Sequence, residues 1–283
     1  MTGYFFRSRC GLKFFYRDSP ALSGSGLAPV VCLHGLTRNS ADFVELAEHL
    51  QPSRRVLALD FRGRGRSDFD PDHRNYFPTT YADDVVEWLD HLGIGSAVFC
   101  GTSLGGIVTM VLADQAPELF AGAIINDIGP EVSMVGILRI GQYVGKLKPA
   151  ENWDDAIANT KIMFEVAFPD ADAASWDLIT RRTYRIGADG KPVLKSDPNI
   201  GKAFQELGGS PPDPWGLFEK LGRFPLLALR GETSDLLAAE TLVEMARRVP
   251  SLVTCTVANR GHAPWLNEPD ALAAIDSFLA SVP

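Results

Sequence analysis

The chain has 283 residues, of which 46 % are hydrophobic and 22 % charged, enough apolar material for a large buried core. Its 27 Lys and Arg stand against 35 Asp and Glu, a formal net charge of −8 that repels a phosphate backbone and argues against a nucleic-acid partner. No apolar run approaches the ~20 residues needed to span a bilayer, so no membrane span is expected.

The start of the chain, Met1 to Arg7, alternates into a strand and lacks the charged, apolar and cleavage regions of a secretion signal. Cys10, Cys32, Cys100 and Cys255 are scattered without paired or metal-ligand spacing, which makes them free thiols and the cytoplasm the expected compartment. Strands are expected at 4–9 and 12–18, followed by a Gly- and Ser-rich loop at 19–28. Further strands are expected at 29–33, 55–60, 97–100, 122–126, 226–230 and 252–257. Helices fall between them at 40–50, 80–92, 103–115, 236–248 and 269–280. This alternation is the pattern of an α/β protein, a mostly parallel eight-stranded sheet with helices on both faces.

Between residues 128 and 214 the alternation stops. Helical spacing takes over at 132–144, 152–167 and 171–186, then a polar turn at 188–192 and a Gly- and Pro-rich tail at 208–214. The segment reads as a helical cap inserted after the sixth strand. The expected organisation is core at 1–128, cap at 129–215 and core again at 216–283. Tyr143, Trp153, Met163, Phe164, Phe168 and Trp176 are the cap residues that could line a pocket, but residues at helical spacing more often pack between cap and core, and none is assigned a ligand contact.

Gly101-Thr102-Ser103-Leu104-Gly105 joins an apolar strand to a helical run, the context a nucleophile elbow requires. A serine hydroxyl needs a base near neutral pH. Of five histidines, His49 and His91 sit in amphipathic helices and His73 in a polar loop. His262 lies in Gly261-His262-Ala263-Pro264 after the last strand, and its place after the serine in the chain selects it. Three carboxylates could orient that base. Asp235, after the penultimate strand, is preferred because its loop should lie beside that of His262; Asp127, which ends the sixth strand, and Glu232 are alternatives. Backbone donors for an oxyanion are expected at Leu104, directly after the serine, and at Leu36 in the loop His34-Gly35-Leu36-Thr37. His34 is expected to prop that loop and Arg38 to cap solvent rather than reach the pocket mouth, while Trp265 is a candidate for a pocket wall, not an assigned one. Arg62, Arg64 and Arg66, set among Asp60, Asp68 and Asp70, read as a structural loop pinned by Arg–Asp pairs.

Together, Leu33-His34-Gly35, the stretch from Leu59 to Asp68, the elbow, Asp235 and Gly261-His262 resemble the α/β-hydrolase superfamily over essentially the whole chain. Within it the chain looks like the capped, cofactor-free branch of esterases, enol-lactonases and C–C hydrolases. The resemblance implies Ser103, Asp235 and His262 as a triad, Leu36 and Leu104 as oxyanion donors, no metal or other cofactor, and a small-molecule ester or lactone as substrate. Haloalkane dehalogenases and epoxide hydrolases of this fold carry Asp where Ser103 stands, which disfavours both activities. C–C hydrolases usually have Asn-Ser-Met or Asn-Ser-Phe at the elbow, so Thr102-Ser103-Leu104 leans toward simple esters or lactones. C–C cleavage, acyl transfer, perhydrolysis and a non-catalytic ligand-binding role are the alternatives.

Overall fold

The computed structural model describes residues 1–24, 26–206 and 213–283. Its centre is an eight-stranded sheet. In chain order the strands are β1 (Thr2–Arg7), β2 (Lys13–Ser19), β3 (Val30–Leu33), β4 (Val56–Leu59), β5 (Ala97–Thr102), β6 (Phe120–Asn126), β9 (Leu226–Gly231) and β10 (Leu252–Val257). They lie side by side in the order β1-β2-β4-β3-β5-β6-β9-β10. β1 and β2 form an antiparallel pair, β2 runs antiparallel to β4, and all the other pairings are parallel.

The central strands explain their own position. All four residues of β3, all four of β4 and the first five of β5 are buried, as continuous apolar runs must be when helices cover both faces. On one face α2 (Pro78–His91) and α3 (Leu104–Gln115) pack over Phe99, Val31 and Ile125. On the other, α1 (Val44–Leu50) and α10 (Pro269–Leu279) bring Leu46, Leu50, Ile275 and Phe278 onto Val30, Val98 and Ile124. Trp88 and Phe99 are fully buried, and each such side chain contributes roughly 2–3 kcal/mol through its lost apolar surface. α9 (Ala239–Arg248) packs beside β9 and β10, its Met245 buried.

The segment after β6 holds α4 (Met134–Tyr143), α5 (Trp153–Phe164) and α6 (Ala173–Thr183). Beyond α6 it differs from the expected pattern. The helix stops at Thr183, and Tyr184–Ile186 (β7) pairs antiparallel with Pro192–Leu194 (β8) around the polar turn. Two further helices follow, α7 (Ile200–Glu206) and α8 (Pro214–Leu221), the latter capped by the Asp213 carboxylate accepting from the Gly216 N–H at 3.0 Å. Residues 208–212 of the expected irregular tail lie outside the described residues.

The Arg-rich loop is pinned by two different means. Arg62 is buried and donates to Asp84 at 2.7 and 2.6 Å and to Asp70 at 2.6 Å. Arg64, fully buried, donates instead to the carbonyls of Leu36 and Arg62 and to the Tyr81 hydroxyl, and lies over the Tyr76 and Tyr81 rings.

Candidate active site

Ser103 sits between β5 and α3 at φ 53° and ψ −116°, a left-handed backbone that a side chain adopts only when its surroundings enforce it. The enforcement is visible on both sides. A Cβ on Gly101 would come within 2.4 Å of the Gly105 carbonyl oxygen, and one on Gly105 within 2.0 Å of the Leu33 carbonyl oxygen. Strand and helix can close on the turn only because both positions are glycine. The Ser103 N–H donates to the Asn126 carbonyl at 3.0 Å, tying the turn to β6.

The Ser103 hydroxyl meets His262 Nε2 at 2.8 Å, although 159 residues separate them in the chain. On the far side of the ring, Nδ1 lies 2.8 Å from Asp127 Oδ2. A buried carboxylate accepts, so Nδ1 carries the proton and Nε2 is left to accept from the serine. Asp127 is fully buried. Its Oδ1 accepts the Gly231 N–H at 2.8 Å, and its Oδ2 also accepts the Ser234 hydroxyl at 2.7 Å.

Asp235, expected to orient the base, does something else. Arg139 of α4 grips its carboxylate with two bonds of 2.5 and 2.8 Å. Burial pushes the Asp235 carboxyl up, but the bonds and charge of Arg139, with His262 adding to them, outweigh it and hold the group below the usual aspartate range. The reason for the difference lies in the strand order. β6 stands between β5 and β9, so the His262 loop, returning from β10 to Ser103, passes over the end of β6 and finds Asp127 beneath it. Glu232 accepts the Asn259 N–H at 2.8 Å, while the His262 ring bonds to Asp127 and Ser103. The sequence signal that pointed to Asp127 was its position directly at the end of a strand, on the same rim as Ser103.

The two residues expected to supply oxyanion donors flank the serine in the fold, Leu36 next to Gly35 in the loop after β3 and Leu104 at the start of α3. The Gly35 carbonyl accepts from His34 Nδ1 at 2.8 Å and from the Arg38 N–H at 3.1 Å, so across a planar trans peptide the Leu36 N–H points the opposite way. The Ser103 carbonyl likewise accepts from Gly106 and Ile107 inside α3, which turns the Leu104 N–H outward at the helix N-terminus. Gly35 closes against the serine, since a Cβ there would lie 3.7 Å from Ser103 Cβ. His34 is the prop. Its Nε2 accepts the Phe61 N–H at 3.0 Å, and burial, with Arg64 and Arg38 nearby, pushes its pKa down to about 3 despite the bond to Gly35. It is therefore a neutral hydrogen-bonding group at any working pH.

A cavity of about 80 Å³ opens onto Ser103 and His262, walled by Arg38, Tyr143, Phe164, Phe168 and Trp265. Arg38 thus lies at the pocket rather than in solvent. It donates to Asp42 and to Thr183 of α6, with its guanidinium 4.7 Å from the centre of the Phe164 ring. Asn126 was not anticipated from sequence. Its side chain donates to the Thr102 hydroxyl at 3.1 Å and to the Pro264 carbonyl at 2.9 Å, strapping the elbow to the loop that carries His262.

A serine, an imidazole and a carboxylate stand in line at the rim of the mostly parallel sheet. Residues 30–275 match the model of the alpha/beta hydrolase family, and the chain belongs to that family. A 3-hydroxybutyrate-oligomer hydrolase from Cupriavidus necator is 30 % identical over 88 % of this chain and 87 % of its own length. A 2-(acetamidomethylene)succinate hydrolase from Mesorhizobium japonicum is 26 % identical over 87 % of this chain and 86 % of its own. Among solved structures, an alpha/beta hydrolase from Novosphingobium aromaticivorans superposes with a TM-score of 0.92 at 40 % identity, covering 99 % of this chain and 98 % of that one. The chain is thus a hydrolase of this family, similar to an oligomer hydrolase.

Proposed function

We propose that this hydrolase cleaves carboxylic esters or lactones of small molecules through an acyl-enzyme on Ser103. The observation that carries the reading is the unbroken chain from the Ser103 hydroxyl through His262 to Asp127, both links 2.8 Å long. His262 Nε2 takes the serine proton as the oxygen attacks the carbonyl carbon. Asp127 stabilises the imidazolium that forms, without itself taking a proton. The N–H groups of Leu36 and Leu104 hold the tetrahedral oxyanion, a contribution of roughly 3 kcal/mol for each donor. The imidazolium then protonates the departing alkoxide, and a water molecule, deprotonated by His262, releases the acid and frees the serine. The helices between residues 129 and 215 act as a cap, excluding water while the charge develops.

Fluorophosphonate labelling followed by peptide mass spectrometry, together with turnover of p-nitrophenyl butyrate, tests this directly. The adduct should map to Ser103, and Ser103→Ala should lose about 10⁵-fold or more in kcat while its thermal unfolding stays that of the wild type. Retained hydrolysis in the alanine variant would refute the assignment.

A further inference from the structure

Two hollows meet at the boundary between cap and core. The first is the 80 Å³ cavity at Ser103. The second, of about 190 Å³, is lined by Leu178, Asp170, Arg260 and Glu268 among others. They share Phe168, Ile179 and Trp265, so these three side chains form the partition between them. The Phe168 and Trp265 rings meet at 4.9 Å between centroids.

The partition is braced from both sides. On the cap side, the Gly261 N–H donates to the Ala167 carbonyl at 3.0 Å, and the Phe168 N–H to the Phe164 carbonyl at 3.2 Å. On the core side, the Glu268 carboxylate accepts the N–H groups of Trp265 and Leu266 at 2.8 and 2.9 Å. A wall held this way limits what fits in front of it. The inner cavity, at about 80 Å³, is well below the ~300 Å³ at which drug-sized pockets begin.

Resting on the ester-hydrolase reading above, we propose that Phe168 is a specificity-determining residue that restricts the site to short-chain esters, with the outer hollow as space a longer chain can enter only when the wall is removed. Its ring is the cap's contribution to the partition, and no backbone has to move to take it away.

The test is a chain-length series of p-nitrophenyl esters, from acetate to decanoate, on the wild type, Phe168→Ala and Phe168→Leu. The wild type should prefer butyrate over octanoate by about tenfold or more in kcat/KM, the scale on which hydrophobic pockets discriminate chain length. Phe168→Ala should raise the octanoate-to-butyrate ratio by about tenfold, and Phe168→Leu by less in the same direction. A gain on the longer substrate cannot come from damaged folding, and the leucine variant serves if the alanine variant does not fold. A wild type indifferent to chain length, or folded variants with an unchanged ratio, would overturn the proposal and leave the hydrolase reading standing. A wild type that cleaves no member of the series and takes no fluorophosphonate on Ser103 would remove both.

Discussion

His262 has two carboxylates in its neighbourhood, and they differ in what else they hold. Asp127 receives a backbone N–H, a hydroxyl and the imidazole, all from groups that leave its charge available to the ring. Asp235 is occupied by the Arg139 fork. Asp127→Asn should therefore lower kcat by about 10⁴-fold, because an amide in that place favours the wrong imidazole tautomer. Asp235→Asn should cost less than about tenfold in kcat, and its main effect should be on stability, because Arg139 is left part-buried without its partner. Steady-state kinetics and thermal melts of both variants separate the roles, and a larger kcat loss in the Asp235 variant would reverse them. Ser103 and His262 were legible because each carries its signal locally, a Gly-flanked turn and a Gly-His loop after a strand. The acid was not. Choosing between two strand-end aspartates needs the lateral order of the strands, which local pattern does not contain.

At the scale of elements, the sheet and its flanking helices were readable almost to their ends, since long apolar runs and amphipathic stretches state their own periodicity. The segment after β6 was read less well. β7 and β8 are three residues each, too short for alternation to show, and Tyr184–Ile186 continues the apolar spacing of α6 without a break. α7, at seven residues, is equally short, and α8 begins at a proline that closes a Gly- and Pro-rich run. α3 sits close on β3 where Gly105 meets Leu33. A methyl group at Gly105 cannot be absorbed by a flexible neighbour, because the atom it meets is a backbone oxygen 2.0 Å away. Gly105→Ala should destabilise the fold by about 3 kcal/mol or more and abolish turnover together with it. Urea unfolding measures the first, and a stability equal to wild type would contradict the packing.

For the molecule as a whole, one buried group links acidity to folding. His34 is pushed from 6.5 down to about 3 by burial. Between those values the unfolded chain binds a proton that the folded chain does not, so this contribution is fully present above 6.5 and is lost as the pH falls toward 3. The slope is at most about 1.4 kcal/mol per pH unit. Urea melts between pH 6.5 and 4.5 should show the wild type losing stability more steeply than His34→Asn, and parallel slopes would exclude this origin. The same architecture bears on how reactants come and go. The bond from Gly261 to Ala167 fastens the stretch just beyond α5 to the backbone next to the imidazole. That bond couples the stretch following α5 to the loop carrying His262, so a displacement of one is transmitted to the other.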